Sequence, residues 1–182
     1  MLSQIIDINE MQYIPSITKT IAKRLKKEYE DLINWVEDIT IKYTNNKEIV
    51  FIISKIEDAS LNVYSFTMPP NYPFSPPRIL INGKTYGEFL NIHSIRFKKV
   101  LRYLTGIECL CCHSYNCRDN WSPALSLNHI IQESNKYRVT KNNIKIKLLV
   151  DKIKDKYLID DIDLDSWLFD IRISLPANLI YR

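Results

Sequence analysis

Apolar residues recur at helical spacing from Ile17 through Ile21, Leu25 and Leu32 to Val36, with Pro15 as a break and Ser16 or Thr18 as the hydroxyl cap. Lys23, Arg24, Lys26, Lys27, Glu28, Glu30 and Asp31 fill much of the remaining surface, which predicts a surface helix with one buried stripe. From residue 38 to residue 81 the period shortens. Ile39 to Tyr43, the Ile- and Val-rich run from Glu48 to Lys55, and Leu61 to Met68 predict three antiparallel strands. In the last of these Val63, Ser65 and Thr67 alternate with Tyr64, Phe66 and Met68. Pro69, Pro70, Pro73, Pro76 and Pro77 forbid ladder pairing, and a fourth strand, Ile79-Leu80-Ile81, stops at Asn82-Gly83. Tyr72-Pro73 is a place for a cis bond, because before proline the cis form costs only about 0.5–1 kcal/mol.

Residues 95–104 put Ile95, Val100, Leu101 and Leu104 on one side of a short helix that Thr105-Gly106 closes. Ser122-Pro123 predicts the start of a helix running through Leu125, Leu127, Ile130 and Ile131. Residues 144–158 predict another, with Ile146, Leu149, Ile153 and Tyr157 on one face, although Ile144 to Leu148 also alternates as a strand does. The tail from Asp160 mixes acids with Leu164, Trp167, Leu168 and Phe169 and is expected to pack or dock. The chain thus divides into an N-terminal extension, 1–16, a domain, 17–158, and a C-terminal tail, 159–182.

A length of 182 residues with 46% hydrophobic and 25% charged content suits one well-buried domain and excludes a largely disordered chain. The net charge of +4, from 25 basic and 21 acidic residues spread along the chain, describes a mixed solvated surface and no nucleic-acid partner. Arg96, Lys98, Lys99 and Arg102 read as the wet side of their helix. No apolar run approaches the roughly eighteen residues of a membrane span. The first seven residues carry an acid where a secretory signal carries Lys or Arg, so the expectation is an intracellular protein, cytoplasmic or nuclear, without a membrane partner.

The four cysteines, Cys109, Cys111, Cys112 and Cys117, lie within nine residues, whereas a disulfide framework would distribute them to tie distant segments together. They point to one local site. Their spacing argues against zinc, which favours ligand pairs on two separated knuckles, and no metal is expected. A local disulfide at Cys109 is disfavoured in a reducing compartment. His93, His113 and His129 form no catalytic constellation, His129 is expected to be structural, and Trp121 is expected to pack in the core.

Four stretches, in this order, resemble the ubiquitin-conjugating enzyme (UBC) family: Arg24 to Leu32 its first helix, and Tyr64-Ser65-Phe66 with Pro70 to Ile79 its Tyr-Pro-Phe-x-Pro-Pro segment. Gly106-Ile107-Glu108-Cys109-Leu110 is similar to its active-site segment and Trp121-Ser122-Pro123-Ala124-Leu125 to the opening of its next helix. The resemblance spans roughly residues 17 to 134. It implies an α+β fold with a four-stranded antiparallel sheet flanked by helices. It also implies a cysteine that takes ubiquitin or a related modifier from an activating enzyme as a thioester and passes it to a substrate lysine or a ligase. No small-molecule cofactor is implied.

On this chain the acceptor is Cys109, with Gly three residues before it and Leu after it, and Cys112 is the runner-up. Eleven residues separate Cys109 from Trp121, more than is ordinary in the family, and eight separate Cys112 from it. The family's His-Pro-Asn triplet is missing; Tyr103 stands six before Cys109, and the nearest relic is His93-Ser94-Ile95 with Asn91 upstream. Losing one oxyanion donor costs on the order of 10²–10³ in rate, so transfer to lysine is the threatened step. Asn116 and Asn120 are possible substitute donors, and Asp119 a group to deprotonate an amine. By the same resemblance the activating enzyme and ligase contact Arg24, Lys27, Phe74, Pro123 and Ala124. The alternative is a catalytically silent UBC-like binding or scaffold module, which the missing triplet favours.

Overall fold

The alternating segments between residues 38 and 81 pair into a sheet, and the sheet has six strands rather than four. The structure, a computed structural model, describes residues 4–15, 17–92 and 94–157. Ser16, His93 and the predicted tail at 159–182 lie outside the described residues. Strands β1 (Gln4–Ile5), β2 (Asp38–Tyr43), β3 (Ile49–Glu57), β4 (Ser60–Met68), β5 (Arg78–Ile81) and β6 (Lys84–Thr85) lie in chain order, every neighbour antiparallel. The two extra strands are edge strands of two residues each, too short to show an alternation. The second follows from Asn82-Gly83: both adopt left-handed φ, 50° and 78°, and close a two-residue hairpin pairing Ile81 with Lys84. Asp58 and Ala59, at φ 51° and 58°, turn β3 into β4 in the same way.

One face of the sheet is buried through Ile41, Ile49, Phe51, Ile53, Tyr64, Phe66, Met68, Ile79 and Ile81. The predicted alternation of β4 is the observed one, with Tyr64, Phe66 and Met68 buried and Val63 exposed. Fully burying a side chain such as Phe51 or Phe66 contributes roughly 1.5–3 kcal/mol.

Helix α1 (Lys19–Leu32) is capped by Thr18, whose hydroxyl accepts the Ile21 N–H at 3.3 Å. It ends four residues short of Val36, and its buried stripe is Ala22, Leu25, Glu28 and Leu32. Glu28 therefore belongs to the inner face and not to the solvated one. In the crossing that follows β4, the Tyr72-Pro73 bond is cis. Helix α2 (Tyr86–Leu90) has a capping box in which Thr85 and Glu88 satisfy each other's backbone N–H. Helix α3 (Ile95–Thr105) ends on Gly106 at φ 71°. Its buried residue is Leu101, flanked by half-buried Phe97 and Val100, while Ile95 and Leu104 are exposed. Ile95 lies about 120° round the helix from Leu101, and Leu104 sits in the last turn.

Helix α4 runs unbroken over Leu127–Tyr157, so the two helices predicted on either side of residue 140 are one; no Gly or Pro interrupts it. Pro123 does not start it. Residues 122–126 form a turn, and the Leu125 carbonyl accepts from Arg24 at 2.6 Å instead of bonding up the helix. Ser126 is the effective cap, its Oγ accepting the His129 N–H at 3.4 Å while His129 Nδ1 accepts the Ser126 N–H at 3.1 Å. Internal contacts divide the chain into two units, Met1–Thr140 and Lys141–Arg182. In the second, Ile144 and Val150 are buried while Ile146 and Leu149 are exposed, and Lys147 pairs with Asp151 one turn on at 3.1 Å. Among the described residues no helix is long and apolar enough to cross a membrane.

Candidate active site

Gly106 turns the chain out of α3, and the Thr105 hydroxyl stabilises the exit by donating to Leu101 O at 2.7 Å and accepting from Ile107 N at 3.2 Å. Leu110 then anchors the cysteine segment in the core, 1% exposed, and a short 3-10 turn carries Cys111–His113. Past the turn, Ser114 is buried, and Tyr115 and Asn116 begin a run of tight turns to Trp121.

What holds this loop is Glu133 of α4. Its Oε2 accepts the Ser114 hydroxyl at 2.9 Å and the Tyr86 hydroxyl at 2.8 Å; its Oε1 accepts the Tyr115 N–H at 2.8 Å and the Tyr137 hydroxyl at 3.3 Å. Burial first, and the Glu133 carboxylate second, hold the Tyr86 hydroxyl well above the usual tyrosine range. Asn120 adds a clamp from the far end, donating to the carbonyls of Cys112 at 2.8 Å and Ser114 at 3.1 Å. Asn120 is thus committed to the loop's own backbone. Glu133, Ser114 and Tyr86 were missed by sequence reasoning, yet one signal was present: Glu133 falls three residues after Ile130 and four before Tyr137, on the apolar stripe.

The cysteines form a cluster at the exposed side. The Cys109 and Cys111 sulfurs are bonded to each other, Cys112 is an exposed free thiol with its sulfur 3.9 Å from that of Cys111, and Cys117 is a half-buried free thiol. The disulfide at Cys109 that redox reasoning disfavoured is therefore present. Cys111, Cys112 and Cys117 line a shallow cavity of about 280 Å³ with Ser114, Asn116, Tyr86, Gly87 and Leu90. Asn116 Oδ1 is buried without a hydrogen-bond partner among the described residues. Neither Cys109 nor Asp119 lines that cavity, and Asp119 is exposed. On the loop's other side Leu110, His113 and Tyr115 line a cavity of about 460 Å³ with His129, Glu133 and Lys136. His129 serves the start of its helix, its Nδ1 accepting the N–H of the capping Ser126.

A second polar centre joins residues 24–32, 70–79 and 121–127. Glu28 Oε1 accepts from Arg24 Nε at 2.8 Å and from the Tyr72 hydroxyl at 2.6 Å, and Oε2 accepts the Leu127 N–H at 2.9 Å. Trp121, half-buried against Tyr72, donates its indole N–H to Pro73 O at 2.7 Å. Arg24 therefore spends its guanidinium inside the molecule, where burial costs less because the charge is matched. Of the five residues expected at a partner surface, Arg24 is the one turned inward, with 19% of its side chain exposed; Lys27, Phe74, Pro123 and Ala124 are exposed. Comparison of the chain with protein-family models, with curated proteins and with solved structures finds no match in any of the three.

Proposed function

We propose that this chain is a UBC-type carrier, which holds ubiquitin or a ubiquitin-like modifier as a thioester on a cysteine of the 109–112 cluster and passes it to a substrate lysine or a ligase. The observation that carries the reading is convergence. The three segments at 24–32, 70–79 and 121–125, which resemble the family in sequence, are bonded to one another through Glu28, Arg24 and the Trp121–Pro73 hydrogen bond. The fourth segment leads into a loop that a buried carboxylate braces from beneath and that presents cysteines outward. A fixed backbone with an accessible thiol beside a shallow cleft is what an acyl carrier needs, since the thiolate must meet a large protein partner without rearranging. The sequence motif favours Cys109 as the acceptor, which requires the Cys109–Cys111 bond to be reduced first. Asn116, on the cavity with Cys112 and with a free buried amide oxygen, is the better supported of the polar groups for positioning; Asp119 is a distant second. Phe74, Pro123, Ala124 and Lys27 offer the surface for the activating enzyme and ligase. The setting is cytoplasmic or nuclear.

A binding module on the same frame is the second reading, favoured by the occupied Cys109 sulfur. Charging separates the two. Protein reduced with a phosphine is incubated with activating enzyme, ATP and modifier, beside Cys109→Ala and Cys112→Ala. A thiol-sensitive adduct lost only in Cys109→Ala is the expected result; loss only in Cys112→Ala moves the acceptor. Absence of any adduct with ubiquitin and its relatives leaves the module.

A further inference from the structure

We propose that Cys109, Cys111 and Cys112, once reduced, form a three-thiolate site for a thiophilic d10 metal ion, Zn²⁺ or Cu⁺. The sulfurs of all three lie within 4.8 Å of one another, and those of the adjacent pair, Cys111 and Cys112, are 3.9 Å apart. Sulfurs bound at about 2.3 Å to one ion lie roughly 3.8 Å apart in a tetrahedron and 4.0 Å apart in a trigonal plane. One edge of the site already has its coordination length. The two adjacent cysteines can thus share one ion in this turn, although their spacing is not that of separated knuckles. Leu110, buried between Cys109 and Cys111, and Asn120, bonded to the Cys112 carbonyl at 2.8 Å, fix the backbone from which the three side chains project.

The donor set selects the metal. Three thiolates favour Cu⁺ and Zn²⁺ over ions that prefer oxygen, such as Mg²⁺ and Ca²⁺. Cys111 and Cys112 are exposed, so an ion reaches them without opening the fold. In the structure the Cys109–Cys111 bond blocks the site. A dithiol gives two electrons and two protons and becomes a disulfide, and a phosphine gives two electrons and becomes its oxide while water supplies the oxygen and both protons. Either converts that bond to two thiols, and metal binding then releases the thiol protons to water. Oxidation and metal binding therefore compete for the same sulfurs. The inference does not rest on the thioester reading; where both hold, a bound ion occupies the sulfur that would accept the modifier.

The full chain, reduced with a phosphine under argon, is titrated separately with Zn²⁺ and with Cu⁺, beside the unreduced chain. Bound metal and reactive thiols are counted, with no activating enzyme present. The chain has four cysteines, so one ion held by three thiolates leaves a single reactive thiol. The expected result is that stoichiometry in at least one metal arm of the reduced chain and none in the unreduced chain. Cys109→Ser, Cys111→Ser and Cys112→Ser each weaken binding by about tenfold or more. Cys117→Ser leaves the affinity unchanged and removes the last reactive thiol. Four thiols still reactive in both metal arms would overturn the proposal, as would a Cys117→Ser variant as weak as Cys112→Ser. Cys111 and Cys112 are exposed, so serine there leaves the far-ultraviolet circular dichroism unchanged and the count interpretable.

Discussion

Glu28 on α1 and Glu133 on α4 are both acids set on a buried helical stripe, and each accepts a buried tyrosine hydroxyl, from Tyr72 and Tyr86. The remaining donors differ. Glu28 meets a guanidinium on one oxygen and a backbone N–H on the other, and neither can do anything but donate. Glu133 meets its one backbone N–H, that of Tyr115, on Oε1, while Oε2 is served by the hydroxyls of Tyr86 and Ser114, which rotate to donate or accept. The first centre is locked around a compensated charge; the second is a bracket whose hydrogens are adjustable.

Replacement by the neutral isostere tests that difference most strongly. In Glu28→Gln either orientation of the amide aims its NH₂ at a donor, and the half-buried Arg24 guanidinium loses its counter-charge. The cost is expected at about 3–5 kcal/mol in urea unfolding. In Glu133→Gln the amide NH₂ takes the Oε2 position, both hydroxyls turn to accept, and the cost is about 1 kcal/mol. Equal losses in the two variants would remove the distinction.

The same contrast explains what could be read from the sequence. The Glu28 centre is assembled by segments with recognisable motifs, Arg24 to Leu32, Tyr72-Pro73-Phe74 and Trp121-Ser122-Pro123, so its parts were located although Glu28 and Arg24 were assigned to solvent. A one-residue error in the apparent stripe is enough for that, because i+3 and i+4 positions carry it round the helix. The four long strands were legible because alternation needs only a few residues to show, whereas β1 and β6, of two residues each, carry none. The Glu133 bracket joins Tyr86, Ser114 and Glu133 across nearly fifty residues without a local pattern, and only the misplaced acid on an apolar stripe marks it. The cysteine cluster was located as one site, but its pairing depends on how a 3-10 turn aims side chains.

Alkaline pH sharpens the comparison with a smaller effect. Burial first, and the neighbouring carboxylate second, raise the Tyr72 and Tyr86 hydroxyls above the ordinary 10.0. Below pH 10.0 both states hold these protons, so the contribution to stability is full; above it the unfolded chain releases them first, and stability falls as pH rises toward the folded values. Each tyrosine contributes at most about 1.4 kcal/mol per pH unit to that fall. Tyr72→Phe and Tyr86→Phe should each flatten the slope above pH 10.0 by up to that amount, measured by urea unfolding across the alkaline range. A slope unchanged in either variant would mean that its hydroxyl is solvated.

The smallest effect belongs to residues that neither centre uses. Phe74 is 75% exposed although its neighbours Tyr72 and Pro73 are tied into the Glu28 centre and to Trp121. The ring is therefore carried on a rigid loop without being needed to hold it. Phe74→Ala and Lys27→Ala should each change unfolding free energy by no more than about 0.5 kcal/mol. Arg24→Ala removes the counter-charge of Glu28 and is a poor probe of partner contact for that reason. If Phe74→Ala leaves stability intact and lowers the rate at which activating enzyme charges the protein, the ring acts on the partner. A stability loss above about 1 kcal/mol would instead make Phe74 a third support of the Glu28 centre.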